Sequence, residues 1–160
     1  MTAKSVVASF FAIHLSACCV VQTPLHSDAA STAERAKAYF SVYAARQDFH
    51  RFMTFYADNA QLHDVIYGYS AHGKSDIAAF FAWDRGDFST VASGPILQVT
   101  RQVVSGDQVI TTGQFNQFHY NGQKLGPWEF VIWQQYSADG LILQQQDWIN
   151  YSPKKILINP

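Results

Sequence analysis

Charged side chains are scarce in this chain. Asp, Glu, Lys and Arg supply 14% of its 160 residues, and eleven bases against twelve acids leave a formal charge of -1. An ordinary soluble domain carries about 25%. No run of Lys or Arg is available to track phosphates, so nucleic acid is not an expected partner. The chain also lacks an apolar run long enough to cross a bilayer as a helix. It has no Gly-rich phosphate loop, no Ser-His-Asp order and no nucleophile elbow. Its six histidines do not show the spacing that puts two ligands on one helix face, so neither a metal site nor a cofactor is expected.

What the chain does have is material to bury. Hydrophobic residues make up 48% and aromatics 15%, with twelve Phe, eight Tyr and four Trp, enough for one compact core. The opening "MTAKSVVASFFAIHLSACC" sets one Lys before an apolar run from Ser5 to Leu15, followed by small residues and cysteine, the layout of an export signal. Leu15-Ser16-Ala17-Cys18 resembles the bacterial lipobox, in which the cysteine becomes the lipidated first residue. Residues 1–18 are therefore expected to be a lipoprotein-type signal peptide with Cys18 acylated. An ordinary secretory signal and a buried N-terminal helix are the other readings. The resemblance implies an exported protein of the cell envelope, on the periplasmic face, touching the membrane only through its lipid. With Cys18 acylated, Cys19 is the one remaining thiol, and no internal disulfide can form.

Residues 19–31 read as a linker, because "VVQTPLHSDAAS" carries Pro, Ser and Asp without apolar periodicity. The domain proper is expected over 32–152, with 153–160 a tail. Ser31 and Glu34 form a capping-box pattern opening a helix whose Ala36, Tyr39, Phe40, Tyr43 and Ala44 share a face. "FHRFMTFYA" predicts a second short helix, "AQLHDVIY" a strand, and Lys74 to Ala82 a third helix. "WDRGDFSTVASGP" reads as a polar loop. Thereafter come strands only: "ILQVTRQVV", "QVITTGQFNQFHY", "WEFVIWQQYS" and "LILQQQDWINYS", separated by the turn signals "SGD", "NGQKLGP" and "ADG". Helices first and a meander second predict an α+β fold, with three helices on one face of a curved antiparallel sheet. Phe40, Tyr43, Phe52, Phe80, Val131 and Ile149 are expected to be buried.

Two acids stand out. Asp64 lies among Leu62, Val65 and Ile66, where an ionised carboxylate is costly unless it is solvated or held in a cavity. Asp147 alternates with Leu143, Ile149 and Tyr151, so it interrupts an apolar strand face. Its alternative is to hydrogen-bond a buried Tyr or Trp and order the core. His63 points to the face opposite Asp64 and reads as structural; His72 and His119 sit at element ends, where capping or surface roles are commoner. The amides of "QFNQFH" and "LILQQQD" could orient a polar ligand group or serve solubility.

"YADNAQLHDVIYGYSAHGKSDIAAFF" and "WQQYSADGLILQQQDWINY" resemble the nuclear transport factor two-like superfamily, in particular its SnoaL-like branch, over roughly Ala33 to Ser152. The resemblance implies a cone-shaped sheet closed by helices around a central pocket. The superfamily includes ketosteroid isomerases, polyketide cyclases, limonene-type epoxide hydrolases, dehydratases and members without catalysis, so the fold does not select a reaction. Laid on the isomerases, Asp64 falls on the general base, but Phe40 and Ile132 fall where the oxyanion donors belong, and losing one such donor costs about a hundredfold or more. Tyr39 or Tyr43 could substitute from the same helix. Laid on the epoxide hydrolases, Asp147 falls on the acid that protonates the epoxide and Asp64 on a water-holding Asn, while Gly113 and Phe115 replace the Arg and second Asp. The resemblance thus implies Asp64 and Asp147 as catalytic candidates. Phe40, Tyr43, Tyr67, Trp83, Phe115, Trp128 and Ile132 are the expected walls of a pocket for a small, largely apolar or amphipathic molecule. Cofactor-free isomerase, cyclase, hydrolase or dehydratase chemistry are the open options, and the alternative is a non-catalytic binding domain or a homodimerisation domain.

Overall fold

The computed structural model describes residues 26–152. The export signal with Cys18, most of the linker and the tail from residue 153 lie outside the described residues. A long helix α1 (His26–Ala45) and a short α2 (Phe49–Met53) lead into β1 (Tyr56–Asp64), β2 (Tyr69–His72) and α3 (Lys74–Phe81). Then follow β3 (Phe88–Thr90), β4 (Leu97–Ser105), β5 (Gln108–Phe115), β6 (Phe118–Tyr120), β7 (Gln123–Leu125), β8 (Trp128–Tyr136) and β9 (Ile142–Ile149). The main sheet has the order β2-β1-β9-β8-β5-β4, and β3-β6-β7 form a small second sheet. The fold is α+β: helices at the N-terminus pack on a curved sheet that stays open at β2 and β4.

The sheet is mixed rather than wholly antiparallel, because β1 runs parallel to β9 while every other pair is antiparallel. The β1–β2 hairpin precedes the meander in sequence and joins its last strand through a long connection, which leaves the direction of that pair free of hairpin geometry. The first helix begins at His26, so Ser31 lies inside it rather than at its N-cap. After Pro24 the segment contains no Gly or Pro to break a helix, although its Ser and Asp and its lack of apolar periodicity suggested a linker. Tyr56 belongs to β1, not to the second helix; Thr54 closes that helix with its N–H on the carbonyls of Arg51 and His50. "QVITTGQFNQFHY" is split into β5 and β6 where Asn116 ties its N–H to the Ile96 carbonyl (2.8 Å) and its amide to the Pro95 carbonyl (2.8 Å). The strands β2, β3 and β7 are too short and polar to leave a period in the sequence.

The core is aromatic. Tyr39 is fully buried, with rings of Phe40, Phe52 and Phe55 between 5.0 and 5.6 Å from its own. Phe40 stacks on Phe130, planes 3° apart. Of the six residues expected inside, Phe40, Tyr43, Phe52 and Ile149 are buried and Phe80 is half-buried. Val131 is not: it alternates with buried Phe130 and Ile132 and points to the outer face, 39% exposed.

Candidate functional site

The parallel pairing makes Asp64 and Asp147 direct Cα partners across β1 and β9. Both are buried, but their surroundings differ. Asp64 Oδ1 accepts the backbone N–H groups of Ile66 and Tyr67, each at 3.0 Å, because the chain turns at the end of β1. Asp64 Oδ2 accepts a short hydrogen bond from the Tyr151 hydroxyl. Both oxygens are engaged, and Asp64 does not line the neighbouring cavity.

Asp147 does line it. The cavity, of about 190 Å³, is walled by Tyr43, Phe80, Phe81, Phe88, Ile96, Phe115, Phe118, Trp128 and Ile149, with Arg46, Tyr120, Asp147 and Tyr151 as its polar groups. That is smaller than the roughly 300–1,000 Å³ of drug-sized pockets, so it suits a compact ligand. Asp147 Oδ1 accepts from the Gln145 amide at 2.9 Å, and Oδ2 has no hydrogen-bond partner among the described residues. Burial pushes the Asp147 carboxyl up to about 7, with the nearby Asp64 charge adding to the rise and the Gln145 hydrogen bond working against it. A carboxyl with that value exchanges a proton readily in either direction near neutral pH.

The Gln145 side chain is itself fixed from behind. Its Oε1 accepts from Tyr56 (2.8 Å), Gln134 Nε2 (2.9 Å) and Tyr39 (3.3 Å), and Tyr136 donates to Gln134 Oε1 at 2.8 Å. Tyr39 and Tyr56 share a further hydrogen bond of 2.8 Å. With its oxygen saturated by donors, Gln145 turns its N–H toward Asp147. Gln134 and Gln145 are almost completely buried, and their amides bond protein groups, a third arrangement beside the ligand-orienting and solubility readings. The sequence missed this ladder because alternate glutamines look the same on either face of a strand.

The remaining expected positions divide. Tyr43, Phe115 and Trp128 line the cavity. Phe40 and Ile132 are core residues behind it. Trp83 stacks on Phe52 at 4.5 Å and on Tyr43 at 5.8 Å, outside the lining. Tyr67 is 70% exposed and covers the outer side of Tyr151, ring centroids 4.5 Å apart. His63 sits beside the β1–β2 hairpin, its Nδ1 3.0 Å from Ser70 Oγ and 3.1 Å from the Tyr69 carbonyl oxygen. Nine lining residues escaped the sequence reading of the pocket, the polar Tyr151 and Arg46 among them. Tyr151 was visible only as part of a strand face, and Arg46 reads as an ordinary basic residue after a helix. Among the described residues, no group of three or more His, Cys, Asp or Glu is placed to hold a metal ion.

The model of the SnoaL-like domain matches residues 36–144. The chain belongs to the SnoaL-like domain family. No curated protein matches it. Among solved structures, this SnoaL-like chain is similar to a putative ketosteroid isomerase from Kribbella flavida, at 20% identity over 83% of this chain and 91% of that one, TM-score 0.58. It is similar to an LEH-like epoxide hydrolase of M. tuberculosis at 14% identity, over 76% and 84%, TM-score 0.59. A putative SnoaL-like polyketide cyclase from Shewanella denitrificans matches at 14% identity over 74% and 90%, TM-score 0.57. At these identities the likeness is one of fold.

Proposed function

We propose that this SnoaL-like domain binds a small, largely apolar molecule in its cavity and moves a proton on it without a cofactor, Asp147 being the acid/base group. The observation that carries this reading is a carboxyl raised to about 7 in an aromatic cavity, with Oδ1 held by Gln145 and Oδ2 without a partner among the described residues. Asp64 takes a supporting role. Its oxygens are occupied by two backbone N–H groups and Tyr151, so it fixes the Tyr151 hydroxyl at the cavity wall instead of activating a water. One available carboxyl favours proton shuttling, as in isomerisation or cyclisation, over hydrolysis that needs two carboxyl groups on opposite sides of a water. The test is solvent-deuterium incorporation into a panel of small cyclic ketones, followed by NMR. Exchange is expected to rise with pH to a plateau above about 7 and to fall by about a hundredfold or more in Asp147→Asn. No exchange with any ketone, or exchange indifferent to Asp147, overturns the reading.

A specific observation also supports self-association. On the outer sheet face Val103, Ile110, Trp133 and Gln146 are successive register partners across β4, β5, β8 and β9, and Val131 pairs with Trp148 beside them. Val99, Val103, Ile110, Val131 and Trp148 are all exposed. We read this stripe as the seat of a second copy, since apolar side chains grouped on an exposed face mark interaction surfaces. The export reading adds an anchor at Cys18; mass spectrometry of the membrane fraction should find an acylated Cys18 as the first residue.

A further inference from the structure

Resting on that cavity, we propose that it selects a small organic anion, a carboxylate on an apolar body, whose oxygens are received by the guanidinium of Arg46 and the hydroxyl of Tyr43. Arg46 is the one cation among the lining residues. Partial burial lowers its pKa, a sign that the charge is short of water. Among the described residues it has no carboxylate partner; the ion pair found there, Lys74 with Asp58 at 3.1 Å, lies elsewhere. Its guanidinium carbon is 4.3 Å from the centroid of Phe88 and 5.1 Å from that of Trp83. Cation–π contact uses the flat face of the group and leaves its N–H edges available to a planar carboxylate.

The backbone holds Arg46 there at a cost. Its φ is 47°, just past the end of α1, with its N–H on the Val42 and Tyr43 carbonyls. Glycine takes this helix-ending conformation without penalty, whereas a side chain here is strained. Tyr43 lies three residues earlier, and the two groups are close enough to influence each other electrostatically. It is 8% exposed and lines the cavity, yet its hydroxyl has no hydrogen-bond partner among the described residues. It is also not among the atoms sealed away from solvent without a partner. Burial raises its pKa well beyond neutral pH, so it remains a donor. A cation and a neutral donor, both unpaired and side by side in an aromatic wall, make a receptor for one negative group. The polar groups otherwise facing the ligand are Tyr120, Tyr151 and Asp147, and Asp147, raised to about 7, is mostly uncharged in mildly acidic solution, so it does not repel the anion there.

The experiment is calorimetric titration of the mature protein at pH 6 with benzoate and with its neutral isostere benzamide. Benzoate is expected to bind about tenfold or more tightly, the scale of hydrogen bonds to a charged group. Arg46→Gln should erase the preference, Arg46→Lys should keep part of it, and Tyr43→Phe should weaken benzoate by about threefold to tenfold. Thermal melts establish that each variant is folded, and Arg46→Lys serves if Arg46→Gln is not. Equal binding of the two probes overturns the inference and leaves the small-molecule reading standing. A preference that survives in Arg46→Gln also overturns it, and binding of neither probe overturns both.

Discussion

Each face of the main sheet carries some residues of the type usual on the other. Inside, between sheet and helices, lie Thr111, Gln134, Gln145 and Asp147, almost free of water. Outside, Val99, Val103, Ile110, Val131 and Trp148 are exposed. Polar groups are expensive to bury unless their donors and acceptors are matched, and here the tyrosines of α1, β1 and β8 supply matches for the two glutamines. The inner face is therefore a device for aiming one amide at one carboxyl. On the outer face the side-chain hydrogen bonds are separate pairs, such as Trp133 with Gln108 at 3.1 Å, and apolar side chains stand exposed beside them. Burial pattern and polarity pattern carry different information, and function is written where they disagree.

That contrast can be broken most severely at the centre of the inner ladder. Gln145→Leu removes the acceptor shared by Tyr39, Tyr56 and Gln134 and should destabilise the domain by about 3 kcal/mol or more in urea titrations. The same substitution at Gln144, one residue away on the other face and exposed, should change stability by no more than about 0.5 kcal/mol. Equal effects would abolish the distinction between the faces.

A smaller effect is expected from the charge on Asp147. Unfolded, the carboxyl loses its proton near pH 4; folded, it keeps it to about 7. The native state thus binds the extra proton in that window, so the stabilising contribution is complete below pH 4 and is lost as pH rises through 7. Asp147→Asn should accordingly be more stable than the parent by roughly 1–3 kcal/mol at pH 8 and show no such advantage at pH 4. Chemical denaturation at both pH values measures the difference. Next in size is Tyr151→Phe, which withdraws the hydroxyl donor from Asp64 Oδ2; a loss of about 1–2 kcal/mol with the fold intact is expected. Smallest for the stability of the single chain is Ile110→Lys on the outer face, within about 0.5 kcal/mol. Its effect should appear in sedimentation velocity, as a shift from dimer toward monomer. A parent protein that sediments as a monomer at high concentration would refute the second-copy reading.

Much of the architecture could be read from the residues. Three of the four long strand patterns became β4, β8 and β9 within a few positions and the other divided into β5 and β6, since alternation of bulky and polar groups along eight or nine residues is a strong period. The capping pattern at Ser31 misled, because the Ala-rich stretch before it continues the helix. At the site, the two acids were visible as charges in apolar strands. Their different surroundings were not, for these depend on which backbone N–H groups meet Asp64 at the turn after β1 and on a phenol from beyond β9. Arg46 was invisible for a similar reason: its place over Phe88 requires the small β3-β6-β7 sheet, whose three-residue strands leave no sequence signature.

The parallel pairing of β1 with β9 has a kinetic meaning as well. Tyr151 and Asp64 are 87 residues apart in the chain, and closing so long a loop is entropically slow relative to forming the local hairpins of the meander. On the ribosome, Asp64 emerges long before the strand that will stand beside it. Refolding followed simultaneously by circular dichroism and by binding of a cavity probe should therefore show secondary structure first and a competent pocket last, which makes the cavity a natural reporter of the final step of folding.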